Sequence, residues 1–204
     1  MNAMHNSEEQ KRELGCGRGR RRSHSSFWMH DPRIVFSEIG LKSGESFLDL
    51  GCGPGDYTIH AAKIVGDSGA VYAVDRWEEM IMALLREADA QELENVVGLI
   101  SDITAPLPLI NYCVDVCFIS TVLHTLDINK AMKPLLDEVR RVLKPTGRLA
   151  IIECKKQDQP FGPPKHVRLS PEEIERLTTL CGFKRTGFTD LGYNYLIQFR
   201  LSRE

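Results

Sequence analysis

Short apolar runs alternate with amphipathic segments along most of this chain. Five such runs, ESFLDL, AVYAVD, VVGLIS, VDVCFIS and GRLAIIEC, lie between residues 45 and 154. Helical patterns at 56–66, 77–90 and 128–143 separate them, and a loop follows the third run. Strands that are apolar nearly throughout and alternate with helices indicate a parallel sheet covered on both faces. The pattern predicts a doubly wound α/β fold.

The pattern changes near the C-terminal end. A helical stretch at 171–181 is followed by the runs FKRTGFTDLG and YNYLIQFRL, which only a short turn separates. A connection this short joins antiparallel strands. We therefore expect a mostly parallel seven-stranded sheet, with helices on both faces and a C-terminal hairpin that introduces an antiparallel strand.

The N-terminal region differs in composition from the rest of the chain. Residues 1–26 include GCGRGRRRSHSS and carry six basic side chains against three acidic ones. A segment this polar cannot bury enough apolar surface to form a core. We expect a basic flexible tail at 1–26 and one domain at 27–204.

A helix is predicted at the start of this domain. Asp31 followed by Pro32 is typical of an N-cap and a first helical position, and Gly40 marks the end. Within these bounds, one helix face would carry Ile34, Val35 and Ile39.

Composition limits the expected partners and location. The net charge of −2 gives no global attraction to nucleic acid or anionic lipid, so nucleic acid is not the expected partner. The sequence has no apolar stretch of about 18 residues and does not start like a secretory signal. The cysteines lack the spacing of a zinc site, so no metal is expected. We expect a cytoplasmic protein, either monomer or homodimer, without a membrane segment.

A glycine-rich segment, FLDLGCGPG, ends the first apolar run. Gly51, Gly53 and Gly55 allow positive φ angles and let a ligand approach the backbone closely. The spacing differs from the G-x-G-x-x-G of dinucleotide sites. Pro54 offers no N–H group, and Asp56 places an anion where a diphosphate would meet the helix start. The loop therefore disfavours a diphosphate ligand.

Three acids lie at the ends of the first three apolar runs. Asp49 can pair with an ammonium group while the loop N–H groups bind a carboxylate. Asp75 can accept hydrogen bonds from both hydroxyls of a ribose, and Asp102 can accept one from the amine of adenine. Amino acid, ribose and adenine are the parts of S-adenosylmethionine.

With these motifs, residues 31–200 resemble the class I, or Rossmann-like, S-adenosylmethionine-dependent methyltransferases. FLDLGCGPG is similar to the glycine-rich motif of the family, VYAVD to its ribose motif and SDI to its adenine motif. VDVCFISTVLHTL is similar to the fourth-strand motif, and EVRRVLKPTGRLAIIE to the following helix, turn and strand. The resemblance implies an enzyme that uses S-adenosylmethionine and releases S-adenosylhomocysteine. It places the cofactor against Asp49, Gly51, Gly53, Gly55, Asp75, Arg76, Asp102, Ile103, Ser120 and Thr121.

A proton acceptor and a substrate surface are less clearly marked. His124 follows the fourth strand, and histidine is the side chain that most often acts as a proton acceptor in enzymes, so it is the candidate catalytic base, with simple helix packing as the alternative. The basic, Pro-rich loop 157–168 and the N-terminal arginines suit an aromatic or macrocyclic molecule with carboxylates. A tetrapyrrole or a quinone precursor fits this description. The candidate substrate contacts are Trp28, His30, Tyr57, His166 and Tyr193.

The resemblance is to one group within the family. The exit of the fourth strand lacks the Asn/Asp-Pro-Pro-aromatic tetrad of methylases that act on nucleic-acid bases or glutamine. The motif pattern of this chain is similar to that of the small-molecule methyltransferases of ubiquinone and menaquinone synthesis. Three alternatives stay open: an RNA or protein methyltransferase using the basic tail, a non-catalytic cofactor-binding regulatory partner, and a dehydrogenase.

Overall fold

A computed structural model describes residues 25–202. The predicted basic tail at 1–26 therefore lies outside the described residues, except for Ser25 and Ser26. The strands are β1 (Ser46–Leu50), β2 (Ala70–Asp75), β3 (Val96–Ile100), β4 (Val114–Ser120), β5 (Leu143–Cys154), β6 (Phe183–Leu191) and β7 (Asn194–Leu201). The helices are α1 (Pro32–Ile39), α2 (Asp56–Val65), α3 (Glu78–Ala90), α4 (Ile128–Val142) and α5 (Pro171–Leu180). Short 3₁₀ turns lie at Ser26–Met29, Leu123–Thr125 and Lys165–Val167.

The strands form one sheet in the order β3-β2-β1-β4-β5-β7-β6. The pairs from β3 to β5 are parallel, whereas β7 pairs antiparallel with both β5 and β6. The expected fold class and the antiparallel hairpin strand are thus confirmed. The strand order reverses between β1 and β4, and ligands of open α/β sheets bind at the carboxyl ends of strands at such a switch point.

Apolar cores lie on both faces of the sheet. Leu48 and Leu50 of β1 point into a cluster that includes side chains of α4 and α5. Phe47, directly before Leu48 in β1, points into a cluster on the other face with side chains of α1 and α2. This alternation explains the continuous apolar runs, because both faces of each central strand are buried.

The predicted ends of α1 are confirmed. The Asp31 carboxylate accepts a hydrogen bond from the backbone N–H of Arg33 at 2.9 Å, and Gly40 ends the helix with φ of +65°. The predicted buried face was partly wrong, because Ile34 is 47% exposed while Phe36 is buried. The ring of Phe36 packs against Phe47 of β1. This contact turns the face of α1 that carries Ile34 towards solvent.

The start of β5 also differs from the prediction. The sequence pattern placed a turn before residue 147, but the strand already begins at Leu143, directly after α4. Leu143 pairs with Val114 and Arg148 with Val116, so the β4–β5 ladder is irregular between these pairs. No helix within residues 25–202 is long and apolar enough to cross a membrane.

Candidate functional site

Two connected clefts open at the carboxyl ends of the central strands. The larger cleft has a volume of about 490 Å³ and extends from the glycine loop towards the residues after β2 and β3. The smaller cleft, of about 180 Å³, extends from the same loop towards Ser25 and Ser26. Gly51, Thr121 and Val122 line both clefts. The switch point of the sheet thus holds a bent, two-part binding space.

Gly51 and Gly53 shape the junction of the clefts. Gly51 has φ of +76°, and a Cβ there would lie 2.6 Å from a methyl carbon of Val122. Gly53 also has a positive φ, but a Cβ there would meet no protein atom within 4 Å. The backbone at Gly53 therefore borders space that a ligand can fill.

Gly55 has a different role from the other two glycines. It precedes α2 with φ of +86°, and a Cβ there would lie 2.3 Å from Cδ1 of Leu84 in α3. It lines neither of the two clefts. The structure therefore supports close packing of α2 against α3 at Gly55 and places it outside the clefts it was predicted to line.

Asp49 provides a buried carboxylate in the smaller cleft. Its Oδ2 accepts a hydrogen bond from the hydroxyl of Thr58 at 2.7 Å, and no Lys or Arg of the described residues pairs with it. Burial, with a further contribution from the nearby charge of Asp75, raises the pKa of Asp49 to about 7. A cationic group bound beside Asp49 would stabilise its charged form.

Asp75 and Asp102 provide carboxylates in the larger cleft. The two oxygens of Asp75 accept hydrogen bonds from the backbone N–H groups of Gly53 and Trp77, at 2.9 and 3.0 Å. Each oxygen keeps a second lone pair for a ligand hydroxyl. Asp102 accepts two hydrogen bonds from Thr104, through its backbone N–H and its hydroxyl, and these lower the pKa of Asp102. Both acids lie where the sequence predicted a nucleoside.

Apolar and cationic side chains complete the larger cleft. Ile103 is 6% exposed and offers a flat apolar contact beside Asp102. The guanidinium of Arg76 lies over the ring of Trp77, 4.9 Å from the ring centre, and both residues line the cleft. Arg76 and Ile103 therefore line the same cleft.

The exit of β4 forms the shared wall of the two clefts. Thr121 has φ of +53°, which is unusual for a β-branched residue and costs about 1–3 kcal/mol. Its N–H donates to Ile152 of β5 and its hydroxyl to the carbonyl of Ser120, which holds this conformation. Backbone strain of this kind concentrates at ligand sites. Ser120 and Thr121 both line the smaller cleft.

The segment before α1 covers the smaller cleft. The hydroxyls of Ser26 and Ser120 lie 2.8 Å apart. Nε2 of His30 lies 2.8 Å from the hydroxyl of Tyr57, whose ring also packs against Phe27. Burial lowers the pKa of His30, with a smaller opposing effect of Asp31, and burial raises the pKa of Tyr57. His30 and Tyr57 therefore form a neutral polar pair beside this cleft.

The other predicted substrate contacts lie outside the two clefts. Trp28 is 68% exposed and lines a separate groove between α2 and α3. His166 lies in the loop at 157–168, and Tyr193 packs edge-on against Phe161 of this loop, with ring centres 4.6 Å apart. The groove that Trp28 lines reaches Pro54 and Gly55 at the end of the glycine loop, whereas His166 and Tyr193 line neither this groove nor the two clefts.

His124 lies in the 3₁₀ turn directly after β4. Its Nδ1 is 2.9 Å from Oε2 of Glu153, a buried residue near the end of β5. The other oxygen of Glu153 accepts a hydrogen bond from the backbone N–H of Leu123. Glu153 was not predicted, although an acid in the apolar run GRLAIIEC is an available signal. Thr58 and Val122 were also missed, because nothing in their local sequence marks them.

The basic loop at 157–168 already uses most of its cations. Arg168 is buried, and its guanidinium donates to the backbone carbonyls of Lys155, Gln157, Phe161 and Pro163. Lys165 pairs with Asp158 within the loop. These contacts fix the loop against the end of β5, so binding a ligand carboxylate would require Arg168 or Lys165 to exchange partners.

These residues fit an S-adenosylmethionine molecule. The smaller cleft has an unpaired buried carboxylate for an ammonium group, the larger cleft has two carboxylates and Ile103 for a nucleoside, and Gly53 leaves open space between them. Within residues 25–202, no three His, Cys, Asp or Glu side chains group as metal ligands.

Comparison with known proteins agrees with this geometry. Residues 41–196 match the family described as "Methyltransferase domain". A solved structure of an S-adenosylmethionine-dependent methyltransferase from Aquifex aeolicus is 32% identical to this chain, with a TM-score of 0.79. The alignment covers 85% of this chain and 91% of that one.

Two curated relatives match over shorter stretches. The demethylmenaquinone methyltransferase of Lactobacillus johnsonii is 32% identical over 127 residues, which is 62% of this chain and 50% of the relative. A protein of Saccharolobus solfataricus named probable cobalt-precorrin-6B C(15)-methyltransferase (decarboxylating) is 30% identical over 119 residues, 58% of this chain and 57% of the relative. The matched region thus spans about half the length of these relatives.

Proposed function

This chain belongs to the class I S-adenosylmethionine-dependent methyltransferases, and on that premise we propose that it transfers a methyl group to a small organic molecule. The observation that carries the proposal is the pair of clefts joined at Gly51, Thr121 and Val122. One cleft offers a carboxylate for an amino acid end and the other offers carboxylates for a nucleoside.

We assign the cofactor contacts by the chemistry of each residue. Asp49 would pair with the ammonium group, and the N–H groups of the glycine loop would bind the carboxylate. Asp75 would accept the ribose hydroxyls, and Asp102 with Ile103 would hold the adenine. When bound, the cofactor supplies a methyl group already activated by a sulfonium. The protein then has to orient the acceptor and exclude water. Correct orientation can lower the activation barrier by about 7–11 kcal/mol.

The acceptor is proposed to enter near the smaller cleft. Its surroundings are Ser26, Ser120 and the His30–Tyr57 pair, which are neutral hydrogen-bonding groups. Neither Arg168 nor Lys165 of the basic loop lines this cleft, and both already have hydrogen-bond or ion-pair partners, so these surroundings suit a neutral acceptor better than a carboxylate.

We therefore favour a hydroquinone or similar hydroxylated aromatic molecule as the acceptor. The Lactobacillus relative, by its name, acts on a demethylmenaquinone, which supports this class. A tetrapyrrole is the second candidate, because the Saccharolobus relative is named for a precorrin. An RNA or protein acceptor would rely on the basic tail, which lies outside the described residues.

The proposal is tested with S-adenosylmethionine carrying a tritiated methyl group. The purified chain is incubated with 1,4-dihydroxynaphthalene, with a tetrapyrrole, with a fractionated small-molecule extract, with total tRNA and with an arginine-rich peptide. We expect label in the hydroquinone or in a low-mass fraction of the extract. Label confined to tRNA or peptide would overturn the small-molecule proposal. Cofactor binding without transfer to any acceptor would favour the regulatory alternative.

A further inference from the structure

Glu153 is a fully buried carboxylate near the end of β5. It lies in an apolar run, and its side chain has no exposed surface. A buried charge is costly unless hydrogen bonds compensate it. Both of its oxygens are used, but by a single element: Oε1 accepts from the N–H of Leu123 at 2.8 Å, and Oε2 lies 2.9 Å from Nδ1 of His124.

No other polar group of the described residues binds this carboxylate. Tyr195 is the partner of Glu153 across the sheet, but its hydroxyl donates to the carbonyl of Leu169. Within residues 25–202, the hydrogen bonds of the Glu153 side chain therefore join β5 only to the 3₁₀ turn after β4.

An ionised Glu153 would select which nitrogen of His124 carries the proton in the neutral ring. An ionised carboxylate can only accept hydrogen bonds, so Nδ1 must carry the hydrogen and Nε2 is left with a free lone pair. Nε2 has no hydrogen-bond partner within residues 25–202, and the side chain keeps 15% of its surface exposed. The ring can therefore accept a proton at Nε2.

The turn that carries His124 lies beside residues that line the clefts. Val122, just before the turn, lines both clefts, and Thr125, its last residue, lines the larger one. The N–H of Leu123 is held by the same carboxylate that orients the imidazole. Glu153 thus holds the backbone of Leu123 and the ring of His124 within the turn that follows Val122, although His124 itself lines neither cleft.

We propose that Glu153 is the positioning residue for His124 in the methyl transfer proposed above, on which this inference rests. In the proton transfer, the bond between the acceptor atom and its hydrogen breaks. The proton passes to Nε2 of His124, and the electron pair stays on the acceptor atom, which becomes the nucleophile. The Glu153 carboxylate remains ionised and stabilises the imidazolium that forms.

The variant Glu153→Gln separates this role from simple packing. Glutamine has nearly the same volume, but its NH₂ group must face either Leu123 N–H or His124 Nδ1. If the amide oxygen stays on Leu123, the NH₂ group donates to Nδ1, and the neutral ring then carries its hydrogen on Nε2. The proton acceptor is thereby lost without a change in ring position.

The first test is the ¹⁵N NMR spectrum of the histidine rings in the full chain without ligand, with His124 assigned by its loss in H124Q. We expect the Nδ1–H form in the wild type and the Nε2–H form in E153Q. Glu45→Gln is the matched control, because Glu45 pairs with Arg148 and precedes β1 at the opposite end of the sheet. It should leave the His124 signals unchanged.

The second test measures kinetics with 1,4-dihydroxynaphthalene and cofactor binding by calorimetry. E153Q should lower kcat by about 10²–10⁴-fold, the usual contribution of a proton acceptor, while KM for the acceptor and cofactor affinity change less than about threefold. An Nε2–H ring in the wild type, or an unchanged kcat in E153Q, would overturn the inference. If E153Q does not fold, the wild-type spectrum alone shows which ring nitrogen of His124 carries the hydrogen. If the wild type binds no cofactor, or shows no turnover with any acceptor, the proposed function is instead refuted.

Discussion

Oδ2 of Asp75 accepts a hydrogen bond from the backbone N–H of Gly53 at 2.9 Å, so the acid that ends β2 holds the loop that follows β1. Gly53 is the loop position that borders open space. One carboxylate therefore both shapes the glycine loop and faces the larger cleft, where a ribose is expected. This link explains why a strand end and a distant loop act as one binding surface.

Gly53→Ala and Gly55→Ala should separate ligand approach from packing. A methyl group at position 55 would overlap Leu84, and strain from overpacking and positive φ should lower the free energy of unfolding by at least about 2 kcal/mol. At position 53 the methyl group enters the ligand space, so the stability cost should be only about 1 kcal/mol, whereas cofactor affinity should fall at least about tenfold. Urea unfolding measures the change in stability, and calorimetry measures the change in cofactor affinity. Equal effects of the two variants on stability would contradict the assignment of Gly55 to packing and Gly53 to ligand approach.

Asp49→Asn should change stability in a pH-dependent way. Because the pKa of Asp49 is about 7 in the folded chain, the native state keeps a proton between about pH 4 and 7 that the unfolded state has lost. The contribution of this group to stability therefore falls as pH rises through that window. D49N cannot ionise but can still accept from Thr58, so it should gain stability relative to the wild type at pH 8 and gain less at pH 5. An identical difference at both values would refute the raised pKa.

Cofactor binding should depend on the same carboxylate. Wild-type affinity should increase from pH 6 to 7.5, as Asp49 releases its proton to become the partner of the ammonium group. D49N should bind more weakly and show a flatter pH dependence over this range. Calorimetry in two buffers with different ionisation enthalpies measures the proton release, which the variant should lack.

Tyr57→Phe should affect the acceptor more than the cofactor. The change removes the hydroxyl that lies 2.8 Å from Nε2 of His30, which leaves the ring of His30 without that partner. We expect the KM for the acceptor to rise several-fold, while calorimetry shows cofactor affinity within about twofold of the wild type. A selective loss of cofactor affinity would mean that Tyr57 belongs to the cofactor site instead.

Arg168→Ala should loosen the loop at 157–168. The guanidinium donates to four backbone carbonyls in a buried position, so its loss should cost about 2–4 kcal/mol of stability. It should also speed trypsin cleavage at Lys165. Arg168→Lys should recover only part of the stability, because lysine lacks the planar fork of donors.

Lys156→Ala is the matched control for Arg168. Lys156 pairs with Glu173 at the surface, where both side chains are about one-third exposed, so its loss should cost less than about 1 kcal/mol. Equal losses in R168A and K156A would show that the carbonyl contacts of Arg168 do not hold the loop.

The sequence was most informative where local chemistry and the fold act together. The ends of α1 were predictable because the N-cap Asp31 and the C-cap Gly40 each make their hydrogen bonds to the adjacent turn of the helix. The grouping of Asp49, Asp75 and Asp102 was predictable because the carboxyl ends of parallel strands meet at one sheet edge. The hairpin strand followed from the short connection before β7.

The sequence was least informative where tertiary contacts decide. The exposure of Ile34 depends on Phe36 packing against Phe47, a contact with another element. Glu153 and His124 are 29 residues apart in sequence, so their contact had no local signal. Gly55 differs from Gly53 only in what lies beside it, Leu84 or open space.

The most direct test of the cofactor site is calorimetric titration of S-adenosylmethionine into the wild type, D75N and D56N. Asp56 begins α2 outside both clefts, so D56N controls for the loss of one negative charge near the loop. We predict micromolar binding to the wild type and to D56N, and affinity reduced about 10–100-fold in D75N, since hydrogen bonds to a charged group are lost. No binding to the wild type, or equal binding to all three, would contradict the account of the two clefts.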